Sequence, residues 1–323
     1  MDIDAKLIEA LHSDREGYIS GAEIAEKLGI TRTAIWKHIE AIRNNGYEIE
    51  AVPHLGYRLL KVPDRLIPQE IEMGLKTELI GGNIITYQSC SSTSDIAEEK
   101  ARSGEKEGTV VFAEYQSKGR GRLGRLWRSE KSKNLLCSVI LRPQIHPSVS
   151  SILTVLVALS VCEILRKYGL SPLIKWPNDV MVKNKKIGGI LTEIKTEADL
   201  VEYVILGIGI NVNSEMRKMN PDIAGTSTSV FDECGYRVDR IEAGRNLLAA
   251  LDKRYKHVKN KKPGALIKEY IDYSSTLGNI VDIKVGSRTV HGYAQGFDDT
   301  GALIIRKDDN SIEKVNSGEL VRG

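Results

Sequence analysis

Along the first sixty residues the apolar positions fall three times at helical spacing. Ile3, Leu7, Ile8 and Leu11 recur every three or four residues and predict a first helix. Ser20 stands where an N-cap belongs, ahead of Ala22, Ile24, Ala25 and Leu28, and Gly29 stops that second helix. Thr31 can cap a third helix reaching Asn44, with Ala34, Ile35, Ile39 and Ile42 facing inward. After Gly46 the pattern changes: residues 47–50 and 57–60 predict two short strands around Pro53, His54, Leu55 and Gly56. Three helices followed by a hairpin predict a winged helix-turn-helix.

Prolines at 63 and 68 among charged residues mark a boundary between modules. Beyond it, β-branched and apolar runs at 110–112, 135–141, 180–182, 190–194 and 201–213 alternate with helical stretches at 94–101, 148–168 and 243–258. This predicts a mixed α/β domain. The apolar segment 152–165 is interrupted by Ser160 and Glu163, and it falls short of the roughly 20 residues of a membrane span, so it predicts a core helix. From Thr276 onward, runs at 280–285, 289–296, 303–306 and 311–315, punctuated by Gly286, Gly301 and two acidic turns, predict a small barrel of short strands.

Composition narrows the function classes without choosing one. Hydrophobic residues make up 41% of the 323 and charged residues 28%, the balance of a folded globular chain. A net charge of +3 is too small to signal a nucleic-acid surface, so any such surface must come from local clustering of Lys and Arg. Cys90, Cys137, Cys162 and Cys234 show no CxxC pairing, which argues against a zinc site or a disulfide framework and for reduced thiols. Residues 1–9 are acidic and lack the basic start of a secretory signal. A cytoplasmic protein with no membrane segment and no resident metal is expected.

A second helix of a helix-turn-helix enters a major groove, where its first residues reach base edges and its basic residues meet phosphates. Arg32, Thr33 and Lys37 are the foremost contact candidates, with Ser20, Thr31, Trp36 and His38 as further ones. The alternative is a protein-docking module, with Trp36 packed in the core and His38 merely solvated.

The segment from Tyr115 to Trp127 carries Gly119, Gly121 and Gly124 interleaved with Arg120, Arg122 and Arg125. The glycines let the backbone approach a ligand and suggest a pliant loop, while the guanidinium groups make an anion the expected occupant. The loop has neither the Gly-Lys-Ser/Thr ending of a Walker motif nor a dinucleotide fingerprint. Arg120 and Arg122 can hold a carboxylate beside a phosphoryl group against their mutual repulsion, and Trp127 can stack on a purine. Non-specific RNA binding is the competing use of such a loop. Three further motifs follow: Lys175-Trp176-Pro177-Asn178-Asp179, Lys186-Ile187-Gly188-Gly189, and Gly207-Ile208-Gly209-Ile210-Asn211. Residues 180–183 and the run from Lys186 predict a hairpin turning at Asn184-Lys185, which sets Lys186 on a rigid element; otherwise Lys186 is one more surface lysine.

These motifs, in this order behind a helix-turn-helix head, resemble the bifunctional biotin protein ligase and biotin operon repressor family over nearly the whole chain. The resemblance implies a winged helix-turn-helix at 1–65, a class II synthetase-like α/β ligase domain at 66–273 and an SH3-like cap at 274–323. It implies that biotin and ATP form biotinyl-5'-AMP with magnesium, and that biotin passes to a lysine of a biotin carboxyl carrier protein. Biotin and its acyl-phosphate would be held by Ser92, Thr93, Ser94, Gln116, Gly119, Arg120, Gly121, Arg122, Lys186 and Gly189. The nucleotide would be held by Arg122, Arg125, Trp127, Asn178, Asp179, Lys186 and Asn211, and the chemistry would fall to Arg120, Arg122, Lys186 and Asp179. Ser94 departs from the family's usual Asn, although its hydroxyl still donates and accepts.

The family also implies an adenylate-promoted homodimer on two operator half-sites. Three other functions use the same parts: a transcription factor that senses a ligand without chemistry, a ligase whose head only influences catalysis, and a lipoate or octanoate transfer enzyme.

Overall fold

The computed structural model describes residues 3–13, 17–197, 199–219 and 221–322. The chain divides into two compact units, residues 1–65 and 66–323.

The first unit is a winged helix-turn-helix: α1 (Ile3–Ser13), α2 (Gly21–Leu28), α3 (Arg32–Asn44), β1 (Glu48–Val52) and β2 (Gly56–Lys61). Local chemistry sets its boundaries. The Ser20 hydroxyl accepts from Glu23 N–H at 3.1 Å and the Thr31 hydroxyl from Ala34 N–H at 3.2 Å, so both helices begin where their caps predict. Gly29 ends α2 in the left-handed conformation, with φ 67°. Leu7, Leu11, Ile24, Ile35, Ile39 and Ile42 fill the core, while Ala34 is half-buried. β1 and β2 pair antiparallel, and Ile19 exchanges two 2.9 Å backbone bonds with Tyr57. Gly56 has φ +117°, and a Cβ there would stand 2.1 Å from the Ile19 carbonyl oxygen, so no other residue fits.

The second unit continues with α4 (Pro68–Glu72), β3 (Asn83–Tyr87), α5 (Thr93–Arg102), β4 (Thr109–Ala113), β5 (Leu135–Leu141), α6 (Ser151–Lys167), β6 (Leu173–Lys175), β7 (Asp179–Val182), β8 (Lys185–Glu197) and β9 (Leu200–Ile210). Four helices follow, α7 (Pro221–Ala224), α8 (Val230–Cys234), α9 (Arg240–Lys259) and α10 (Gly264–Tyr273). Five strands end the chain, β10 (Ile280–Val285), β11 (Arg288–Phe297), β12 (Leu303–Arg306), β13 (Ile312–Val315) and β14 (Glu319–Arg322).

Seven strands form one sheet in the order β3-β4-β5-β9-β8-β7-β6, antiparallel except for β3 beside β4. Ala97 and Ala101 of α5 pack on Val111, Ile140, Tyr203 and Ile205. Because strand side chains alternate, Gly207 and Gly209 fall on that same face of β9, and Ser138 on that face of β5. α9 lies across the reverse face, where Gly244 approaches Leu135 and Phe112.

Two expectations are corrected. The β7–β8 turn is made by Lys183 and Asn184, with φ 48° and 63°, one residue earlier than the sequence suggests; the two-residue turn needs positive φ at both positions, which Asn184 adopts more readily than most residues. The segment Pro147–Lys167 is 21 residues long and apolar enough to pass for a membrane span, so length does not exclude it; 67% of its most apolar window is buried inside the domain, which makes it a core helix. The C-terminal strands form an antiparallel five-stranded sheet in the order β13-β12-β11-β10-β14. It rests on the body of the unit through Trp176 N–H to Thr276 Oγ1 at 3.0 Å and Ser151 Oγ–H to the Thr300 carbonyl at 2.6 Å.

Candidate functional site

One cleft of about 240 Å³ opens on the α5 face of the large sheet, floored by Gly189, Gly207 and Gly209. These glycines carry no side chain because other groups occupy the space. A Cβ on Gly207 would stand 2.7 Å from Ser94 Oγ, and one on Gly209 only 2.6 Å from Cε2 of Trp127. A Cβ on Gly189 would likewise stand 2.9 Å from Cζ3 of that indole. Gly189 and Gly209 face each other across β8 and β9, so the Trp127 ring lies over a bare patch of two strands.

One end of the cleft is polar and closed. Ser92 caps α5 by accepting from Ser94 N–H at 3.2 Å. Gln116 Oε1 accepts from Thr93 N–H at 2.7 Å and from the Thr93 hydroxyl at 3.0 Å. Behind them the Ser138 hydroxyl lies 2.8 Å from Thr93 Oγ1 and 3.1 Å from Ser94 Oγ. Ser92, Thr93, Ser94 and Ser138 are all buried, and each hydroxyl has a partner within the group.

The other end is cationic. The Gly/Arg segment is a hairpin closed by its own backbone hydrogen bonds. Trp127 N–H donates to Gly119 O at 2.9 Å and Gly121 N–H to Arg125 O at 2.7 Å. The glycines serve closure: a Cβ on Gly119 would stand 2.6 Å from the Trp127 carbonyl oxygen, and Gly124 turns the chain at φ +73°. Arg120 pairs with Glu193 at 2.7 Å and Asp95 at 3.0 Å, Arg125 pairs with Glu319 of β14, and Arg122 donates to Asn178 Oδ1 at 3.2 Å. Burial lowers the pKa of Arg122 from its ordinary value while Asp179 opposes that shift, and burial raises Glu193 against the pull of Arg120. Lys186 Nζ lies 2.6 Å from Asp179 Oδ1 and 5.5 Å from the centre of the Trp127 ring. Asn178 also ties itself to β8, its Nδ2 donating to Ile190 O at 2.8 Å.

The root of the hairpin is held from behind. Arg240, wholly buried at the start of α9, donates to Glu114 Oε2 at 2.7 Å, and Glu114 Oε1 accepts from Leu66 N–H at 2.6 Å. Ser132 N–H returns to Glu114 O at 3.0 Å, so the segment leaves and re-enters the domain at one fixed point.

Ser92, Thr93, Ser94, Gln116, Arg120, Gly121, Arg122, Arg125, Trp127, Asn178, Asp179, Lys186 and Gly189 therefore all line one cleft. Two residues named from sequence do not. Gly119 is buried beneath the hairpin, and Asn211 donates its Nδ2 to Thr228 O at 3.0 Å beside the cleft. Sequence reading missed Glu319, Leu320, Gly207 and Gly209, which line the cleft, and Ser138 behind it. Gly207 and Gly209 stood inside a quoted motif and announced close approach; nothing in the pattern marked Ser138 or Glu319.

In the first unit, Arg32, Thr33, Trp36 and Lys37 are all exposed on α3, and Trp36, at 56% exposure, is not core. Ser20 and Thr31 spend their hydroxyls on caps, and His38 Nδ1 lies 2.6 Å from Asp4 Oδ1.

Comparison with known proteins gives three family matches along the chain. They are the HTH domain over residues 5–58, the Biotin/lipoate A/B protein ligase family over 86–211 and the Biotin protein ligase C terminal domain over 276–323. The bifunctional ligase/repressor BirA of Bacillus subtilis is 38% identical over 98% of both chains, and its namesake from Escherichia coli is 29% identical over 98% of this chain and 96% of its own. Among solved structures, the biotin protein ligase of Aquifex aeolicus in complex with biotin and ATP matches with a TM-score of 0.64 at 29% identity, covering 74% of this chain and 97% of that one.

Proposed function

This chain belongs to the family of bifunctional biotin ligase/repressors, and we propose on that footing that it joins biotin to ATP, transfers biotin to a carrier protein, and represses transcription in response. One observation supports the ligase reading above the others: a closed polar end, an aromatic plate and a cationic hairpin share a single cleft.

The cleft suits two substrates laid end to end. The polar end around Ser92, Thr93, Ser94 and Gln116 takes the ring system of biotin; Gly189, Gly121 and the hairpin flank its chain; Trp127, Asn178 and Arg125 take the nucleotide. Bringing the biotin carboxylate to the α-phosphorus crowds negative charge, which Arg120, Arg122 and Lys186 offset at fixed positions. The carboxylate oxygen bonds to phosphorus as the bond to pyrophosphate breaks. In the second half, a neutral lysine amine of the carrier attacks the anhydride carbon and AMP leaves. Asp179 is placed to take the proton that the amine sheds. Asn211 acts on the nucleotide side by holding the 226–230 segment through Thr228, and Gly119 by letting the hairpin close.

Magnesium arrives as part of the ATP substrate. The carboxylates facing the cleft, Asp179 and Glu319, are each engaged by a cation, which suits an ion held mainly by phosphate oxygens and water. In the first unit, Arg32, Thr33, Trp36 and Lys37 form the DNA-facing surface of α3, with β1 and β2 as the wing and the Ser20 and Thr31 caps fixing the helix starts. Domain limits at 65/66 and 273/274, a class II synthetase-like core, an SH3-like C-terminal cap, an adenylate-promoted homodimer on operator DNA and a cytoplasmic location complete the proposal.

The test is incubation of the purified chain with ATP, magnesium and a panel of carboxylic acids. Biotinyl-AMP detected by mass, followed by biotin on one lysine of a biotin carboxyl carrier protein, is expected. Lipoyl-AMP or octanoyl-AMP alone overturns the assignment, and equal operator affinity with and without biotin and ATP overturns the switch.

A further inference from the structure

Every hydrogen bond at the polar end of the cleft has a direction, and one backbone group fixes those that link Gln116, Thr93, Ser138 and Ser94. The N–H of Thr93 can only donate. The Gln116 atom 2.7 Å away is therefore the amide oxygen, whatever the ambiguity such side chains otherwise carry. That oxygen cannot donate, so its 3.0 Å contact with Thr93 Oγ1 consumes the Thr93 proton. The 2.8 Å contact between Thr93 and Ser138 then requires the Ser138 proton. In turn, the 3.1 Å contact between Ser138 and Ser94 requires the Ser94 proton. Ser138 is 0% exposed, so no water competes for its hydroxyl.

The relay leaves Ser94 Oγ with lone pairs only, set over the bare backbone of Gly207. Ser92 Oγ, which accepts from Ser94 N–H at 3.2 Å, keeps its proton. The end of the cleft thus offers an acceptor at residue 94 and a hydroxyl donor at residue 92. A cyclic urea presents the complement, a ring N–H beside a carbonyl oxygen.

We infer that Ser138 is a positioning residue: buried behind the cleft, it holds Ser94 as an obligate acceptor for one ring N–H of the substrate and so sets specificity for a cyclic urea. This rests on the biotin reading above and deepens it. A ring oxygen in place of that N–H would meet the Ser94 lone pairs with no proton between them. Where a site is built to bond a donor, an analogue lacking the donor leaves a buried polar group unpaired and is rejected steeply. Without Ser138 the Ser94 hydroxyl can turn, donate its own proton and accept the analogue.

The experiment uses the full chain with biotin and the two cyclic carbamates in which one or the other ureido N–H is replaced by oxygen, measuring binding and carboxylate-dependent pyrophosphate release. The wild-type protein is expected to discriminate against at least one carbamate by about 100-fold or more. Ser138→Ala is expected to bind biotin more weakly and to shrink that ratio to less than about tenfold. If Ser138→Ala weakens biotin and carbamate alike and preserves the ratio, Ser138 is only packing and the inference fails. It fails also if the wild-type protein uses biotin but treats both carbamates as its equals. Should Ser138→Ala not fold by circular dichroism, Thr93→Val cuts the same chain one link earlier with little change of volume and must give the same collapse. A wild-type protein that releases no pyrophosphate with biotin at all refutes the biotin assignment itself, a result distinct from the others.

Discussion

The indole of Trp127 occupies the space that a side chain at Gly209 would need, with a would-be Cβ 2.6 Å from Cε2, so each residue fixes the other's place. Gly209→Ala is expected to push the ring off the sheet. If the ring is the nucleotide's platform, lost stacking of about 1–3 kcal/mol raises the KM for ATP by about 5–150-fold. Trp127→Ala should do the same with a smaller change in the KM for biotin. Titration of ATP in a biotin-dependent pyrophosphate assay measures both, and an unchanged KM for ATP removes the indole from nucleotide binding.

The arginines of the hairpin should divide by exposure. Arg122 is partly buried and bonded to Asn178, whereas the pair between Arg125 and Glu319 is largely in water on the Arg125 side. Arg122→Ala removes a desolvated cation and should slow adenylate formation by about 100-fold, in line with the loss of a preorganised electrostatic donor. Glu319→Ala breaks an exposed pair and should change the rate by less than about fivefold. Single-turnover measurement of acyl-AMP formation separates the two, and equal losses would refute the division.

On the first unit, Arg32→Ala and Lys37→Ala should weaken operator binding while leaving pyrophosphate release unchanged. Where the lost contact is to a phosphate, the dependence of log affinity on log salt should flatten by about 0.9 per contact. Where it is to a base, affinity should fall for the operator and not for random DNA. Gel shifts across a salt series decide, and undiminished operator affinity in both variants would take α3 out of the groove.

The thiols should be inert in the native state. Burial pushes Cys137 up to about 12, and burial together with Asp95 pushes Cys90 up to about 11. Iodoacetamide at pH 8 should therefore leave Cys137 unlabelled until denaturant is added, as read by peptide mass. Rapid labelling of Cys137 in the folded protein would contradict its burial.

Much of this organisation was legible beforehand because it is local. Ser20, Thr31 and Gly29 announce helix ends through bonds to residues only a few positions away, and β5 and β10 fall on the apolar runs that predict them. What pattern could not supply is long-range. β14 is polar and short and becomes a strand only beside β10, and Glu319 reaches the cleft only because that strand is there. Ser138 looks like a flaw in an apolar run until α5 sets Thr93 and Ser94 against it. Sequence records what the hairpin glycines permit; that they fold the segment tightly against Trp127 is visible only in three dimensions. Asn211 fell on a motif whose partner, Thr228, lies on a segment with no motif of its own.

The hairpin is anchored unequally. Its root rests on the fully buried ion pair of Arg240 with Glu114, and its tip on Arg120 and Arg125 pairs that face water. Screening reaches only the tip: as the Debye length shrinks from about 10 Å at 0.1 M salt to about 3 Å at 1 M, the outer contacts fade while the inner one holds. High ionic strength therefore leaves the hairpin tethered at its base alone, which is expected to shorten the residence time of a bound molecule.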